Sequence, residues 1–540
     1  MRKFRAAPRL AALAAPNRCA GKWRSAQVPI GSVRASDQCS DMEVTRRLLV
    51  IGGGISGLCA AVYARRCGYE VELLEQHDTA GGLATSWTRG PYTFETCLHW
   101  LLGSSTASPM YRQWRELFDI DRLRFIYPEE FVRIESAKGE ALSIYTDVER
   151  MQEALLMRSP ADADAIRDFA RSVREFAHLP LPDPTEHGPL TWLGYLRLLP
   201  EAARLHRFAN VSTAEYGARF HDPLIRAFFD AGESSQMAAI TLAFTLGWRG
   251  AGQAGYPLGG SQAIIRLICE NLQRLGGHLR LSARVQSILV ENDAAMGVRL
   301  ENGETLHAER VLSAADGHAT LNTLLGGRYT EPHLETAYSS WKPFPSYLQV
   351  SFGVAQDLSH LPGFASRLLD APLRVDPSTQ LKQLSYRCFH FDPSFAPPGK
   401  TALTCFLPTY DSDYWVKLRE RDPEGYRAEK ARIAMAVLEI LEHTHPGLRQ
   451  GVEMTDVSTP ATVIRFTGNW RGSMEGWLPT PQIGLRPLPN RLPGLANFYM
   501  AGQWVMPGGG LPGGLMSARA AIRDLCAQDG VRFLSAHRVA

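Results

Sequence analysis

The chain has 540 residues, of which 45% are apolar and 21% are charged, and its formal net charge is +3. This length and composition indicate several domain-sized units with buried cores and exclude a disordered protein. The small net charge gives no support to a nucleic-acid partner, and the nine cysteines form no CxxC pair, which indicates neither a disulfide framework nor a zinc site. We therefore predict no metal. No uninterrupted apolar run is long enough to cross a membrane.

The first segment, residues 1–41, is basic and unlike the rest of the chain. Residues 1–36 carry eight Lys or Arg and no acidic residue. Such a composition is typical of a mitochondrial or plastid transit peptide, but a start codon chosen too far upstream of Met42 would produce the same pattern. In both cases we expect residues 1–41 to be a disordered or targeting extension outside the fold.

The first predicted unit of the fold begins at Arg46. An apolar run at 48–51 predicts a buried strand, a helical pattern follows at 58–66, and a second strand at 70–74 ends on Glu75. A GxGxxG loop joins the first strand to the helix, and its candidate binding residues are Gly52, Gly54, Ile55, Ser56 and Gly57. The glycines permit a tight turn and the approach of a pyrophosphate, and the helix N-terminus favours phosphate oxygens. Glu75, 18 residues after Gly57, is placed to bind ribose hydroxyls, so this unit predicts a dinucleotide site.

A second glycine pair follows Glu75 closely. Residues 78–85 read DTAGGLAT, so that Gly81 and Gly82 precede Leu83. An ordinary Gly-Gly turn has the same composition. The residues alone therefore leave open whether this loop also contacts the dinucleotide.

The middle of the chain alternates between helical and strand patterns. Residues 104–249 are predicted to be helical, with an amphipathic run at 161–176. The leucine- and aromatic-rich segment 190–206 is predicted either to pack on the core or to lie on a membrane surface. A helix at 263–275 and a strand at 278–288 follow. Residues 331–489 are predicted to contain both strands and a helix. The predicted strands are at 346–354, 383–391 and 401–407, and the predicted helix is at 426–442.

The C-terminal part contains another glycine-rich loop. Residues 497–521 predict a short strand, a loop with Gly502 and Gln503, and a helix that starts at about Gly513 and continues through Gly514 and Leu515. The N–H groups at the start of such a helix stabilise negative charge. This element is thus a second candidate binding loop.

Taken together, these motifs resemble the phytoene desaturase, carotenoid isomerase and retinol saturase group of the amine-oxidase-like flavoproteins. The resemblance covers roughly residues 44–530 and is densest at both ends. It implies an α/β fold in which a Rossmann-like FAD-binding domain of the glutathione-reductase type is interleaved with a mixed α+β substrate domain. The implied parts are FAD-binding segments at 44–103, 250–330 and 490–530, a helical/substrate domain at 104–249 and a substrate domain at 331–489.

The resemblance also implies non-covalent FAD and several of its contacts. The Gly81–Gly82–Leu83 loop would close over the cofactor, although Leu83 stands where the family usually has a basic residue. Val285 would touch adenine through its backbone. Gln503 replaces an acid that binds a ribityl hydroxyl, and the helix start at Gly513, Gly514 and Leu515 would face the N1–C2=O edge of the flavin.

His99 is the candidate catalytic residue. It lies in FETCLHW, where retinol saturase-like relatives have an F(D/E)xxxH stretch. It is predicted to act as a general acid or base that ionises at about pH 6–7, or else to hold its loop through backbone hydrogen bonds. Glu95 is predicted to anchor the same loop. Lys342 is a further candidate beside flavin N5, against the alternative of a surface lysine.

We predict an FAD-dependent oxidoreductase that moves hydride between flavin N5 and a carbon of a hydrophobic polyene or isoprenoid substrate, by desaturation, saturation or isomerisation. The alternatives are a flavin amine oxidase and a lipid or prenyl carrier like the GDP-dissociation inhibitors, without redox activity. Because no second GxGxxG follows a strand, we expect an electron acceptor such as oxygen or a quinone. We expect a cytoplasmic protein with peripheral membrane contact, or a mitochondrial or plastid one if residues 1–41 are a transit peptide.

Overall fold

A computed structural model of the chain describes residues 46–96, 98–179, 183, 185, 194 and 196–535. All of them belong to one unit, Val44–Ala540. The extension predicted at residues 1–41 lies outside the described residues, and so do residues 190–193 and 195 of the segment 190–206.

The strands differ widely in length, from two to eleven residues. Within the described residues they are, in chain order, β1 Arg47–Ile51, β2 Glu70–Leu74, β3 Ser86–Arg89, β4 Tyr92–Glu95, β5 Leu101–Leu102, β6 Phe125–Ile126, β7 Glu130–Glu135, β8 Ala141–Tyr145, β9 Ala254–Pro257, β10 His278–Arg280, β11 Val285–Glu291, β12 Ala294–Leu300, β13 Thr305–His307, β14 Arg310–Ser313, β15 Ser346–Val354, β16 Phe364–Arg374, β17 Gln380–Cys388, β18 Thr401–Thr409, β19 Val452–Ser458 and β20 Phe498–Met500.

The helices are mostly short and connect these strands. In the described part of the chain they are α1 Ile55–Arg66, α2 Pro109–Leu117, α3 Val148–Arg158, α4 Ala163–Phe176, α5 Ala202–Ala209, α6 Thr213–Gly217, α7 Pro223–Phe229, α8 Ala239–Gly250, α9 Gly260–Arg274, α10 Gly317–Ala319, α11 Pro332–Ser340, α12 Ser412–Arg421, α13 Pro423–Thr444, α14 Leu448–Gly451, α15 Pro460–Thr467 and α16 Gly510–Asp529. None of these has both the length and the apolar character needed to cross a bilayer.

A parallel sheet in the order β10-β2-β1-β14-β20 forms the first large layer. Leu48 and Val50 of β1 point to one face and pack against α1, α9 and α16. Leu49 and Ile51 point to the other face, where they pack with residues of β12. Since both faces are covered, β1 is apolar throughout rather than alternating. The predicted α/β, Rossmann-like fold is confirmed.

A seven-stranded sheet in the order β19-β15-β18-β17-β16-β7-β8 forms the second large layer. One face carries residues such as Val350, Tyr386 and Cys405, which pack on α13. The other face approaches β4, because a Cβ on Gly353 would collide with the ring of Tyr92. This second face carries the polar residue Arg387 of β17 and, as the next subsection describes, belongs to the candidate site.

The prediction that residues 104–249 are helical is wrong for part of that region. The short strand β6 and the hairpin β7–β8 occupy 125–145, and β7 pairs in parallel with β16, more than 200 residues away in the chain. In this hairpin Val132 and Ile134 alternate with more exposed residues, which is the period of a half-buried strand. The described residues between α3 and α8 are helical for the most part, as predicted, and β15 and α13 confirm the strand at 346–354 and the helix at 426–442.

Candidate functional site

The GxGxxG loop lies between the carboxyl end of β1 and the start of α1. Gly52 has a φ of +97°, and a Cβ there would lie 3.0 Å from the backbone nitrogen of Ala315. A Cβ on Gly57 would collide with the carbonyl oxygen of Gly52. In contrast, a Cβ on Gly54 would find no protein atom nearer than the carbonyl oxygen of Gly81 at 3.9 Å. The loop therefore leaves open space at Gly54. The helix α1 begins directly after it, with Ile55 and Ser56 as its first two residues.

Glu75 closes one end of this loop. Its Oε2 accepts the N–H of Gly53 at 2.7 Å, and its Oε1 accepts the N–H of His77 at 2.8 Å. Burial raises the pKa of Glu75, while these two donors act in the opposite direction. Each carboxylate oxygen keeps a lone pair, so the predicted contact with ribose hydroxyls is compatible with these bonds.

The glycine pair that follows lies directly against the first loop. The N–H of Gly81 donates to the carbonyl of Gly53 at 2.9 Å, and Gly54 and Gly81 form an isolated parallel bridge. A Cβ on Gly82 would lie 3.2 Å from the Cα of Gly54. Leu83 is half-buried, and its carbonyl accepts the N–H of Thr85. The second loop is thus a partner of the first and not an isolated turn.

The C-terminal loop reaches the same place from the other end of the chain. The N–H of Gly502 donates to Ser517 Oγ at 2.9 Å, and a Cβ on Gly502 would lie 3.5 Å from Ser56 Oγ. A Cβ on Gly514 would lie 2.6 Å from Ile55 Cγ2 and 3.0 Å from Ser56 Oγ. The absence of a side chain on Gly514 therefore lets α16 lie against α1.

The helix start predicted at about Gly513 is wrong by three residues, because α16 begins at Gly510. The first N–H groups of a helix have no partner within the helix. The N–H groups of Gly510 and Leu511 are therefore the free donors that were expected at Gly513 and Gly514. Pro512 has no N–H. Gly513, Gly514 and Leu515 lie inside the helix, and Leu515 is fully buried against the core.

Gln503 is held by a residue that the sequence did not single out. Its Nε2 donates to Asn469 Oδ1 at 3.0 Å, and Trp504 Nε1 donates to the same oxygen at 3.0 Å. A Cβ on Gly476 would collide with the carbonyl oxygen of Gln503. The amide of Gln503 is thereby oriented from the segment 469–476.

Val285 begins β11 and is half-buried. The segment before it is tied to the end of β2, because the N–H of Ala283 donates to the carbonyl of Glu75 at 2.8 Å. An open cleft of about 470 Å³ adjoins this point and is lined by His77, Ala283 and Arg284, among others, but not by Val285 itself. The contact of Val285 with adenine therefore stays a prediction.

These loops fit FAD. Gly54 leaves space beside a helix N-terminus, Glu75 presents buried oxygens at the end of β2, and the first N–H groups of α16 start beside α1. When bound, FAD would be held at its pyrophosphate by the first loop and at its ribose by Glu75. Among the described residues, no cluster of His, Cys, Asp or Glu is placed to hold a metal ion.

Glu95 anchors the loop that carries His99, which confirms its predicted role. Glu95 is 1% exposed, and its carboxylate accepts both the N–H of Ser261 at 2.9 Å and Ser261 Oγ at 2.7 Å. Ser261 is in the first turn of α9, and Ile265 of the same helix lies 3.6 Å from where a Cβ on Gly81 would be. The His99 loop is therefore fixed to a helix that packs against the glycine loops.

His99 lies against the seven-stranded sheet in a surrounding of rings. Its centroid is 5.6 Å from that of Phe406, 5.8 Å from Phe364 and 5.9 Å from Trp100. Its Nδ1 is 2.9 Å from Arg387 Nη2. Because a guanidinium can only donate, Nδ1 accepts this bond and the neutral ring carries its hydrogen on Nε2.

The expectation that His99 ionises at about pH 6–7 is wrong. Burial, followed by the charges of Arg387 and Arg249, holds the pKa of His99 well below its usual range. The ring is neutral at physiological pH. His99 can therefore offer the Nε2–H as a hydrogen-bond donor, but it does not store a proton for transfer.

Arg249 and Arg387 are the two residues near His99 that sequence reasoning missed. Arg249 lies near the end of the apolar helix α8, whereas Arg387 lies in the mixed strand β17. A charged residue in an apolar run was thus an available signal for Arg249. The sequence around Arg387 offered none.

Comparison with known proteins gives a consistent result. A model of the flavin containing amine oxidoreductase family matches residues 55–526. The phytoene desaturase (neurosporene-forming) of Cereibacter sphaeroides is 25% identical over 496 residues, covering 87% of this chain and 93% of that protein. The chloroplastic prolycopene isomerase of Arabidopsis thaliana is 25% identical over 572 residues, covering 96% and 91%.

Two solved structures show the same fold. A putrescine oxidase with redesigned cofactor binding has a TM-score of 0.58 at 16% identity, with 89% of this chain and 99% of that chain covered. Cyclohexylamine oxidase from Brevibacterium oxydans IH-35A has a TM-score of 0.57 at 14% identity, with 90% and 99% covered. At these identities the likeness establishes the fold alone.

Proposed function

Because the chain belongs to the flavin-containing amine oxidoreductase family and is an FAD-dependent oxidoreductase, we propose that it acts on a hydrophobic polyene or isoprenoid substrate. The single observation that carries this proposal is the similarity, over 87% of this chain and 93% of the relative, to an enzyme named for the desaturation of phytoene. The similarity to a prolycopene isomerase supports the same substrate class. Desaturation, saturation and isomerisation of C=C bonds are the reactions we consider.

The side chains near His99 support an apolar, conjugated substrate. Trp100, Phe364 and Phe406 surround the imidazole, and Phe131 lies 6.3 Å from Trp100 between ring centroids. Aromatic rings offer large apolar area and favourable offset or edge contacts with a flat π-system. A polyene chain therefore matches this wall of the site better than a small polar molecule.

When bound in the glycine loops, FAD would supply hydride transfer at its N5 atom. The chain's own residues would then have separate tasks. The loop at Gly54 and the start of α1 would hold the pyrophosphate, and Glu75 would hold the ribose. The first N–H groups of α16 would stabilise negative charge at the ring. The proposed role of His99 is to donate a hydrogen bond from its Nε2–H to the substrate or to a group beside the substrate. This bond would orient the apolar chain of the substrate.

A flavin amine oxidase is the second candidate, because two of the solved structures that share the fold act, by their names, on amines. The charges near His99 disfavour it. An amine substrate enters as an ammonium ion, and the guanidinium groups of Arg249 and Arg387 would repel it. Lys342 donates to Gln236 and lies over the ring of Tyr410, and burial lowers its pKa. The carrier alternative, which lacks redox activity, does not agree with the family match.

The electron acceptor and the cellular place are further parts of the proposal. Oxygen or a quinone is the proposed acceptor, because the sequence has no second nucleotide-binding motif after a strand. We propose a cytoplasmic protein that contacts a membrane surface, through which apolar substrates would enter. The exposed Leu196 and Leu199 support such contact. A location in a mitochondrion or plastid remains the alternative for a chain that carries residues 1–41 as a transit peptide.

Anaerobic mixing of the holoenzyme with matched panels of polyenes and amines tests the proposal. We expect the visible absorbance of the oxidised flavin to bleach or shift with polyenes only. The enzyme would then be reoxidised by oxygen or by a quinone, whichever is the acceptor. Bleaching by amines, with no response to any polyene, would contradict the proposed substrate class.

A further inference from the structure

Arg249 and Arg387 place two guanidinium groups inside the protein beside His99. Arg249 is 9% exposed and Arg387 is 5% exposed. Burial lowers the pKa of both, to about 9 for Arg249, where repulsion from Arg387 adds to the effect, and to about 10 for Arg387. Both groups therefore remain cationic at neutral pH, and the protein keeps two like charges close together in its interior.

Neither guanidinium forms an ion pair with a carboxylate of the described residues. Among the described residues, the charged neighbour that lowers the pKa of Arg249 is Arg387. Glu95 attracts Arg387 at longer range, but its oxygens are engaged by Ser261. Arg310, by contrast, pairs with Asp529. The ion pairs of the described residues thus leave the two cations near His99 without a carboxylate partner.

Most hydrogen-bond donors of the two side chains are also unused. Arg387 donates from Nη1 to the carbonyl of Leu98 and from Nη2 to His99 Nδ1, each at 2.9 Å. Its Nε is buried without an acceptor, and so is the Nε of Arg249, whose guanidinium makes no hydrogen bond to any residue described. A buried donor without an acceptor is rare in a native protein and points to a group that is not part of the chain.

Aromatic rings hold the guanidinium groups but cannot accept their hydrogen bonds as an anion would. The Arg249 Cζ lies 5.5 Å from the ring centroid of Trp100 and 5.4 Å from that of Phe131, and the Arg387 Cζ lies 5.4 Å from that of Phe364. These cation–π contacts explain why the side chains stay in place. They leave the positive charge uncompensated, in a wall that is otherwise apolar.

We propose that Arg249 and Arg387 form a site for a carboxylate at the end of the substrate's apolar chain. The inference rests on the proposed function and deepens it: the substrate would be a polyene or isoprenoid acid and not a hydrocarbon. A planar carboxylate suits guanidinium donors in geometry and charge. The Nε2–H of His99 is a further donor in the same cluster. A hydrocarbon substrate would leave two cations buried without any compensation.

The proposal is tested with two ligands that share one polyene skeleton, all-trans-retinoic acid and all-trans-retinol. Binding to the FAD-loaded protein at about pH 7.5, where a carboxylic acid is ionised, is measured by equilibrium dialysis. We expect the acid to bind about 10- to 100-fold more tightly than the alcohol, the effect of hydrogen bonds to a charged group. In Arg249→Met the acid should bind only as well as the alcohol, whose own affinity should hardly change. Arg249→Lys should retain part of the preference.

Arg249→Met also has a stability readout, because the native guanidinium has no partner to lose. Its melting temperature should equal or exceed that of the wild type, since replacing an unpaired buried charge by an apolar side chain of similar volume removes a desolvation cost. Arg299→Met is the matched control, as Arg299 is exposed on β12 and should change neither binding nor melting.

Three outcomes would overturn the inference: equal affinities for the two ligands, no binding of either one, or loss of FAD from Arg249→Met. The last would show that the guanidinium serves the cofactor. The proposed function is judged separately, by the bleaching of the flavin with a panel of polyenes that includes both acids and hydrocarbons. Bleaching without an acid preference would leave the function standing and refute the anion site. An acid preference without bleaching by any polyene would support the anion site and refute the proposed function.

Discussion

The glycine loops and the side-chain cluster around His99 are built in opposite ways. In the loops, function depends on missing side chains: the backbones of Gly53 and Gly81 bond directly, and added atoms at Gly57 would collide with the chain. Around His99, function depends on large side chains that α8 and three strands of the seven-stranded sheet bring together. A site formed by backbone atoms tolerates no added side chain, but its glycines are easy to recognise in the sequence. A site formed by side chains can be altered by single substitutions that leave the fold intact.

The largest expected effect concerns Gly54. Gly54→Val should give a soluble, colourless protein with less than about a tenth of the wild-type FAD, because the side chain would occupy pyrophosphate space while the nearest protein atom lies 3.9 Å from the new Cβ. The measurement is the ratio of flavin to protein absorbance after purification. Full FAD occupancy in this variant would show that the loop does not hold the cofactor.

Gly57→Ala is the matched comparison within the same loop. Its Cβ would meet the Gly52 carbonyl, so this variant should fail to fold instead of folding without cofactor. Solubility and far-UV circular dichroism distinguish the two variants. If both lost FAD and both stayed folded, the contrast between the two glycines would be refuted.

The second effect concerns His99 and turnover. His99→Ala should lower FAD-normalised turnover by about 10²–10⁴-fold if the imidazole contacts substrate, the usual scale for a positioned acid, base or donor. Stability should also fall, by about 1–3 kcal/mol, because Arg387 Nη2 loses its acceptor. His99→Asn provides an acceptor and a donor again and should recover most of the stability. Wild-type turnover in His99→Ala would restrict this residue to holding its loop.

A third effect concerns Glu95, which joins the two regions. Glu95→Ala removes the acceptor of the Ser261 N–H and Oγ inside the protein, so the free energy of unfolding should fall by about 2–4 kcal/mol. Urea denaturation measures this loss, and Glu439→Ala on the exposed face of α13 serves as the control. An unchanged midpoint would mean that the His99 loop does not depend on this anchor.

The smallest effect is a pH dependence of stability. The pKa of His99 is depressed in the folded protein, so the unfolded chain binds the proton more tightly. The contribution of His99 is therefore fully present above the ordinary histidine pKa of about 6.5 and is lost as the pH falls below it. The slope from this one residue should be at most about 1.4 kcal/mol per pH unit.

Comparison of variants isolates this contribution. His445, whose pKa burial lowers to about 4, adds a slope in the same pH range. His99→Asn and His445→Asn should each flatten the decline in unfolding free energy between about pH 6.5 and 5 relative to the wild type. A wild-type slope in His99→Asn would contradict a neutral, buried imidazole at this position.

Prediction from sequence succeeded where a motif and its contacts are close in the chain. The strand ending at Ile51, the helix after it and the acid at Glu75 are local, and the structure places them as expected. The start of α16 was missed by three residues, because glycines at 508–510 and 513–514 read alike in a sequence. The hairpin β7–β8 was missed because its partner strand, β16, follows more than 200 residues later.

The sequence by itself determined the class of fold and the dinucleotide loops, because the spacing of glycines reflects local requirements of the backbone. The kind of cofactor followed from the resemblance to a flavoprotein family. Only the tertiary structure decided the state of His99. Nothing near it in sequence predicts that Arg387 donates to its Nδ1 or that Arg249 lies within reach of its charge. Desolvation and the charges of neighbours set a pKa, and both depend on which distant strands and helices enclose the group.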